Sequence, residues 1–106
     1  MKSCTIVIGN SDDKLTQWEW SNFITQVDNV VGSRCFQRHA FALSPGLARW
    51  QNAVWVFEVE KASLDPLRKD LATAARHYRQ ESITLMVAKP EFIAGVEKKP
   101  DAEPSS

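Results

Sequence analysis

Hydrophobic positions along the chain follow two spacings in turn. Short runs with apolar or β-branched side chains at alternate positions are typical of strands, and apolar residues three and four apart are typical of helices. The pattern predicts four strands and two helices in the order β-α-β-β-α-β. The strands cover residues 4–8, 34–43, 52 or 53 to 59, and 82–88; the first helix runs from Thr16 to Gly32, and the second begins at Ser63 or Asp65 and ends near Tyr78.

The first helix has the clearest local signature. Thr16 and Glu19 have the spacing of a capping box, in which each side chain accepts a hydrogen bond from the backbone of the other. Leu15 and Trp20 stand where a hydrophobic staple places its two apolar residues. Gly32 follows the last apolar position and predicts the end of the helix there.

The second and third strands differ in their patterns. Alternation in the second strand assigns Arg38 and Ala40 to one face and His39 and Phe41 to the other. Residues 52–59 are apolar on both faces, which is typical of a strand in the centre of a sheet. We therefore expect the third strand to have a neighbour on each side.

This order of elements resembles the ferredoxin-like βαββαβ sandwich, an α+β fold. The resemblance implies a four-stranded antiparallel sheet in the order 4-1-3-2, with two helices on one face. It is a resemblance of topology and carries no family motif. We predict a single domain over residues 1–96, followed by a disordered polar tail over residues 97–106 that is rich in proline and charge.

Composition narrows the function classes. The 106 residues carry 13 basic and 13 acidic side chains, so the net charge is zero and nucleic acid is not an expected partner. Two cysteines, Cys4 and Cys35, form no metal motif and no disulfide framework. No secretory leader and no membrane-spanning run is recognisable, so we expect a cytoplasmic protein. We predict no cofactor and no metal.

The predicted topology brings the loop after the first strand, the loop before the third and the loop before the fourth to one end of the molecule. Trp18, in the first turn of the first helix, lies at the same end. Tryptophan within a polar surround is common in protein interfaces. We predict partner-binding residues at this loop end, namely Asn10, Asp12, Asp13, Trp18, Arg49, Trp50, Gln51 and Arg79.

The sheet face away from the helices is the second candidate surface. Val7 and Met86 are expected to point to it, joined either by Trp55 and Phe57 or by Val54 and Val56. An apolar patch of this kind needs a cover. The sequence leaves three covers open: a second copy of the chain, the segment 92–96, or a ligand. The residues assigned to this pocket or dimer face are Val7, His39, Trp55, Phe57 and Met86.

No catalytic constellation is visible. The adjacent Asp12 and Asp13 lack a third ligand or a matching histidine, and neither His39 nor His77 has a nucleophile with which to pair. We predict a non-enzymatic module that binds another protein, of the size of accessory or inhibitory proteins, including those encoded by phages or mobile elements. The alternative is a small-molecule binder or enzyme of the dimeric α+β-barrel type. Its pocket would lie between sheet and helices, lined by His39, Tyr78 or Trp55.

Overall fold

The computed structural model describes residues 1–10, 14–44 and 51–95. Its elements follow the predicted order. They are β1 (Lys2–Gly9), α1 (Gln17–Arg34), β2 (Gln37–Leu43), β3 (Asn52–Val59), α2 (Leu64–His77) and β4 (Thr84–Ala88), with a 3-10 turn at Lys61–Ser63 before α2. The predicted tail, residues 97–106, lies outside the described residues.

The four strands form one sheet in the order β2-β3-β1-β4, and every neighbouring pair is antiparallel. This confirms the predicted order 4-1-3-2 and the ferredoxin-like topology. Ile6 in β1 lies opposite both Trp55 in β3 and Leu85 in β4. The core forms where this side of the sheet meets the helices, since Ile6, Trp55 and Phe23 of α1 are all fully buried.

The capping box at the start of α1 is present in both directions. The Glu19 amide donates to Thr16 Oγ1 at 3.1 Å, and the Thr16 amide donates to Glu19 Oε1 at 3.0 Å. The predicted stop at Gly32 is wrong, because α1 continues to Arg34. It ends where Cys35 turns to extended backbone while its amide still donates to Val31 O. The second strand consequently starts three residues later than predicted.

The end of α2 is closed by a left-handed residue. Arg79 has φ 57°, and the Gln80 amide donates to Ala75 O at 2.8 Å, which is the long bond of a Schellman motif. At the other end, Pro66 lies in the first turn, where its missing amide hydrogen is not needed. Ser63 stands at the N-cap position, but its side chain makes no capping bond.

An irregularity in β2 changes which side chains share a face. Arg38 pairs with Phe57 and Ala40 pairs with Val56, so His39 is an extra residue between them. Ala40 therefore lies on the sheet side away from the helices. His39 lies there too, since its Nε2 is 2.6 Å from Glu58 Oε2. The prediction that His39 and Phe41 share a face is wrong, because strict alternation fails at a bulge.

We call the sheet side away from the helices the open face. Trp55 and Phe57 are fully buried on the helix side, so their assignment to a dimer face is wrong. Side chains on the open face are only partly buried or exposed; those that pair across the strands include Thr5, Val7, Ala40, Ala42, Val54, Val56, Thr84 and Met86. Phe92 and Ile93 are 85% and 81% exposed, so this part of segment 92–96 covers nothing. Val96 lies outside the described residues.

Candidate functional site

The loop end is organised by one buried polar side chain, Asn10. Its Nδ2 donates to Leu15 O at 3.0 Å and to Gln51 Oε1 at 3.1 Å, and its Oδ1 accepts from the Leu15 amide at 3.1 Å. Its own amide donates to Gln51 O. Asn10 is fully buried, so its predicted contact with a partner is wrong. It instead fixes the end of β1 to the start of α1 and the start of β3.

Gln51 extends this network to the surface. Gln51 and Gln17 bond reciprocally through their amides, at 2.8 and 2.9 Å. The strand ends also approach closely, because a Cβ at Gly9 would come within 2.9 Å of Asn52 Oδ1. The loop end is therefore a bonded structure in which β1, α1 and β3 hold one another.

Arg79 joins the end of α2 to the start of α1. Its guanidinium donates to Glu19 Oε2 at 2.8 Å and lies 3.4 Å from Lys14 O. The hydrogen bond from Arg79, followed by the bond from the Thr16 backbone, holds the pKa of Glu19 below its ordinary value. Glu19 thus serves the capping box with one oxygen and the ion pair with the other. Gln51 and Arg79 therefore both lie near the start of α1, at the end of the molecule where the sequence places them.

Trp18 projects from this end into solvent and is 76% exposed. It precedes the buried Trp20 by two residues, which places it about 200° around the helix and so away from the core. Asn22, Thr25 and Asn29 follow at helical spacing and are uncharged, and the Thr25 hydroxyl donates to Ser21 O of its own helix at 3.0 Å. We call Trp18, Asn22, Thr25 and Asn29 the outer face of α1.

Charge is absent from this outer face because every charged side chain of α1 is used elsewhere. Glu19 pairs with Arg79, Asp28 accepts from Arg38 at 2.6 Å and from Trp55 Nε1 at 3.0 Å, and Arg34 pairs with Asp70 at 2.8 Å. A solvent-facing helix surface is ordinarily charged, whereas the centre of an interface is depleted in charge. Sequence reasoning noticed Trp18 but missed its neighbours, although three uncharged polar residues at spacings of three and four are visible in the sequence.

Asp12, Asp13, Arg49 and Trp50, which were also predicted to bind a partner, lie outside the described residues. The prediction that Trp50 lies with Trp18 at the loop end stays a prediction. The candidate surface that the structure describes consists of the outer face of α1 with the Gln17–Gln51 pair and Arg79 beside it.

The residues predicted to line the pocket of the alternative function lie on both sides of the sheet. His39 lies on the open face, whereas Trp55 is buried on the helix side and Tyr78 stacks on Phe23 at 5.0 Å between ring centroids. Within the described ranges, no buried side-chain nitrogen or oxygen lacks a hydrogen-bond partner, and no three histidine, cysteine or acidic residues cluster as metal ligands. The sheet separates His39 from Trp55 and Tyr78, so these three side chains cannot line one cavity.

The two cysteines are free thiols of different exposure. Cys4 is fully buried in β1, and Cys35 is partly buried after α1. Burial raises the pKa of the Cys4 thiol, against a smaller opposing effect of the Arg68 charge. A raised pKa keeps the thiol protonated at neutral pH, so Cys4 is a packing residue rather than a nucleophile.

Comparisons with known proteins show the fold. A scan against protein-family models and a search of curated proteins found no match. Among solved structures, the chain is similar to a dimeric ferredoxin-like protein of unknown function from Thermobifida fusca YX, with a TM-score of 0.56 and 16% identity over 82% of this chain and 89% of that one. This likeness shows the ferredoxin-like α+β fold of the chain.

Two further structures are more distant. A DUF3240 family protein from Shewanella baltica OS155 has a TM-score of 0.47 and 9% identity, over 92% of this chain and 97% of that one. Formyltetrahydrofolate deformylase from Burkholderia mallei ATCC 23344 has a TM-score of 0.45 and 13% identity over 83% of this chain, which spans 27% of that enzyme chain.

Among the described residues, no helix is long and apolar enough to cross a membrane.

Proposed function

We propose that this chain is a non-enzymatic interaction module that binds another protein through the outer face of α1 and the adjoining loop end. The observation that carries the proposal is Trp18, a large aromatic side chain that is 76% exposed on a well-anchored helix turn. Exposed tryptophan on a rigid support is a typical interface anchor, because little side-chain entropy is lost when it is buried.

Two further features support this surface. The capping box, the Asn10 network and the Arg79–Glu19 pair fix the helix turn that bears Trp18, so the anchor is pre-organised. The outer face beside it carries no charge that a partner would have to desolvate. The partner we expect is a protein whose contact surface is apolar and uncharged at its centre.

Site-specific photocrosslinking in cells of the source organism tests the proposal. A photoreactive residue replaces Trp18 in one variant and Asn22 in a second, and we expect both to crosslink to the same protein. The matched control places the photoreactive residue at Lys69, which is exposed on α2. We expect no crosslink to that protein from position 69.

A charge placed in the surface gives the second arm. Thr25→Arg and Trp18→Ala should each abolish capture of the crosslinked protein. Both side chains are exposed, so the melting temperature should stay close to that of the wild type. The proposal fails if the double variant, still folded by circular dichroism, captures the partner as well as the wild type does.

The open face supports a second candidate, a homodimer in which two copies cover each other. Val7, Val54 and Val56 form an apolar centre, Met86 beside them is 50% exposed, and Phe92 and Ile93 leave them uncovered. Monomeric proteins rarely expose such a surface. The protein from Thermobifida fusca is described as dimeric, but its likeness shows the fold alone, so the proposal depends on the face itself.

The mass in solution tests the dimer. Sedimentation equilibrium of the full chain should give twice the monomer mass of 12.0 kDa, falling to the monomer mass on dilution. Val56→Lys should yield monomer at every concentration, whereas Thr73→Lys, on the exposed side of α2, should leave the dimer intact. A wild-type chain that is monomeric at millimolar concentration would rule out the homodimer.

A further inference from the structure

A groove separates the C-terminal half of α2 from β4 and the turn before it. Among the described strands, β4 is at the edge of the sheet, with β1 as its neighbour. Val87 faces the helix side, opposite Cys4, yet it is 37% exposed, so α2 leaves part of this strand uncovered. The cavity between them has a volume of about 360 Å³.

The floor of the groove is apolar. Leu71 and Ala75 of α2 lie on one side of it, almost fully buried, and Ile83 and Leu85 lie on the other, partly buried. An apolar body placed here would be removed from water together with the exposed parts of Ile83 and Leu85, which favours binding but does not fix the orientation of the ligand.

Two guanidinium groups stand on the rim. Arg76 donates to Thr73 Oγ1 at 3.3 Å and meets no carboxylate within the described ranges. Arg68 pairs with Asp65 at 3.0 Å, but the two side chains are 53% and 86% exposed, so the pair contributes little and a better-placed carboxylate can replace it. The two arginines are eight residues apart on one helix, or about 12 Å along its axis.

The remaining rim residues determine the net charge of the groove lining and so which ligand charge it favours. Glu81 contributes one negative charge, and Gln80 and Ser82 are neutral. With Arg68 and Arg76, the lining carries two positive charges and one negative, a net charge of +1. The volume is at the small end of the range for ligand sites, about 300–1,000 Å³.

We propose that this groove binds a small organic monocarboxylate with an apolar body. The apolar part lies on the floor, and the carboxylate accepts hydrogen bonds from Arg76, whose planar donors match its two oxygens. This site is separate from the outer face of α1 and from the open face, so it can fail while those proposals stand.

Three probes of the same shape and different charge test the site by NMR titration of the full chain. They are 3-phenylpropanoate, 3-phenylpropanol and 3-phenylpropylamine. We expect the carboxylate to shift the resonances of Ala75, Ile83 and Leu85, with at least about tenfold higher affinity than the alcohol or the amine. Equal affinity for acid and alcohol, shifts centred on Val54 and Val56, or no binding of the acid would each overturn the proposal.

Substitutions of two rim residues should change the affinity for the carboxylate in opposite directions. Arg76→Gln should weaken carboxylate binding at least about tenfold, because it removes the charged donor. Glu81→Gln should tighten binding severalfold, since it removes the repelling charge. Lys69→Gln, an exposed change of the same kind on α2 outside the groove, should leave the affinity unchanged. The proposal is overturned if Arg76→Gln and Lys69→Gln behave alike while both spectra show a folded protein.

Discussion

Replacement of Asn10 by alanine tests whether the loop end depends on one buried side chain. The substitution leaves the Leu15 amide and the Leu15 carbonyl without their partners, and Leu15 is only 3% exposed. An unsatisfied buried polar group costs about 1–3 kcal/mol. With partial relief by water entering the space of the lost amide, we expect Asn10→Ala to lower the free energy of unfolding by about 2–4 kcal/mol.

Urea denaturation, followed by far-ultraviolet circular dichroism, measures this loss. The matched control is Gln51→Ala, which removes the Asn10–Gln51 bond and the Gln17–Gln51 pair but keeps both bonds to Leu15. The bonds that Gln51→Ala removes are partly or fully exposed, so we expect the free energy of unfolding to fall by about 0.5–1.5 kcal/mol. If the two variants lose the same free energy, or if Asn10→Ala loses less than about 1 kcal/mol, the central role given to Asn10 is refuted.

Three further measurements address other contacts. Arg79→Gly should be more stable than Arg79→Ala by about 0.5–1 kcal/mol in urea denaturation, because both lose the ion pair but only alanine keeps a Cβ at φ 57°; equal stabilities would contradict a left-handed residue there. Glu19→Gln should be less stable than the wild type above the ordinary glutamate pKa of about 4.3. That difference should vanish as the pH falls through the lower folded pKa, where the wild-type carboxylate also becomes protonated; a difference that persisted at the lowest pH would assign the loss to packing. A thiol reagent should label Cys35 in the native protein and Cys4 only after unfolding, as mass spectrometry of the labelled peptides would show; rapid native labelling of Cys4 would contradict its burial.

The parts of the fold that could be predicted are those fixed by local chemistry and by period. The Thr16–Glu19 capping box is a contact within four residues, so the sequence contains all of it. The four strand-like runs and the two helical stripes match one familiar topology, and the strand order followed from it. The end of α1 could not be predicted in this way. Gly32 is a residue at which a helix can end, but α1 continues to Arg34 and ends at Cys35, whose backbone is extended.

The rest depends on contacts between distant residues. Whether Trp55 or Val56 faces the helices is invisible in a strand that is apolar on both sides. The bond from Trp55 Nε1 to Asp28 and the burial of its ring give the answer only in three dimensions. Asn10 looked like a surface residue of a polar loop because one of its partners, Gln51, is distant in sequence and becomes a neighbour only when β1 pairs with β3. The register shift at His39 is likewise invisible in the sequence, because it depends on how β2 pairs with β3.

The two edges of the sheet limit how copies of this protein can associate. An edge strand with unpaired backbone groups is an opening for endless edge-to-edge polymerisation. Here the bulge at His39 breaks the regular ladder of β2, and β4 offers only five residues. Both are devices that resist the addition of another strand. These edges agree with the homodimer that we propose through the open face, since a face-to-face pair closes on itself and does not grow into a fibre.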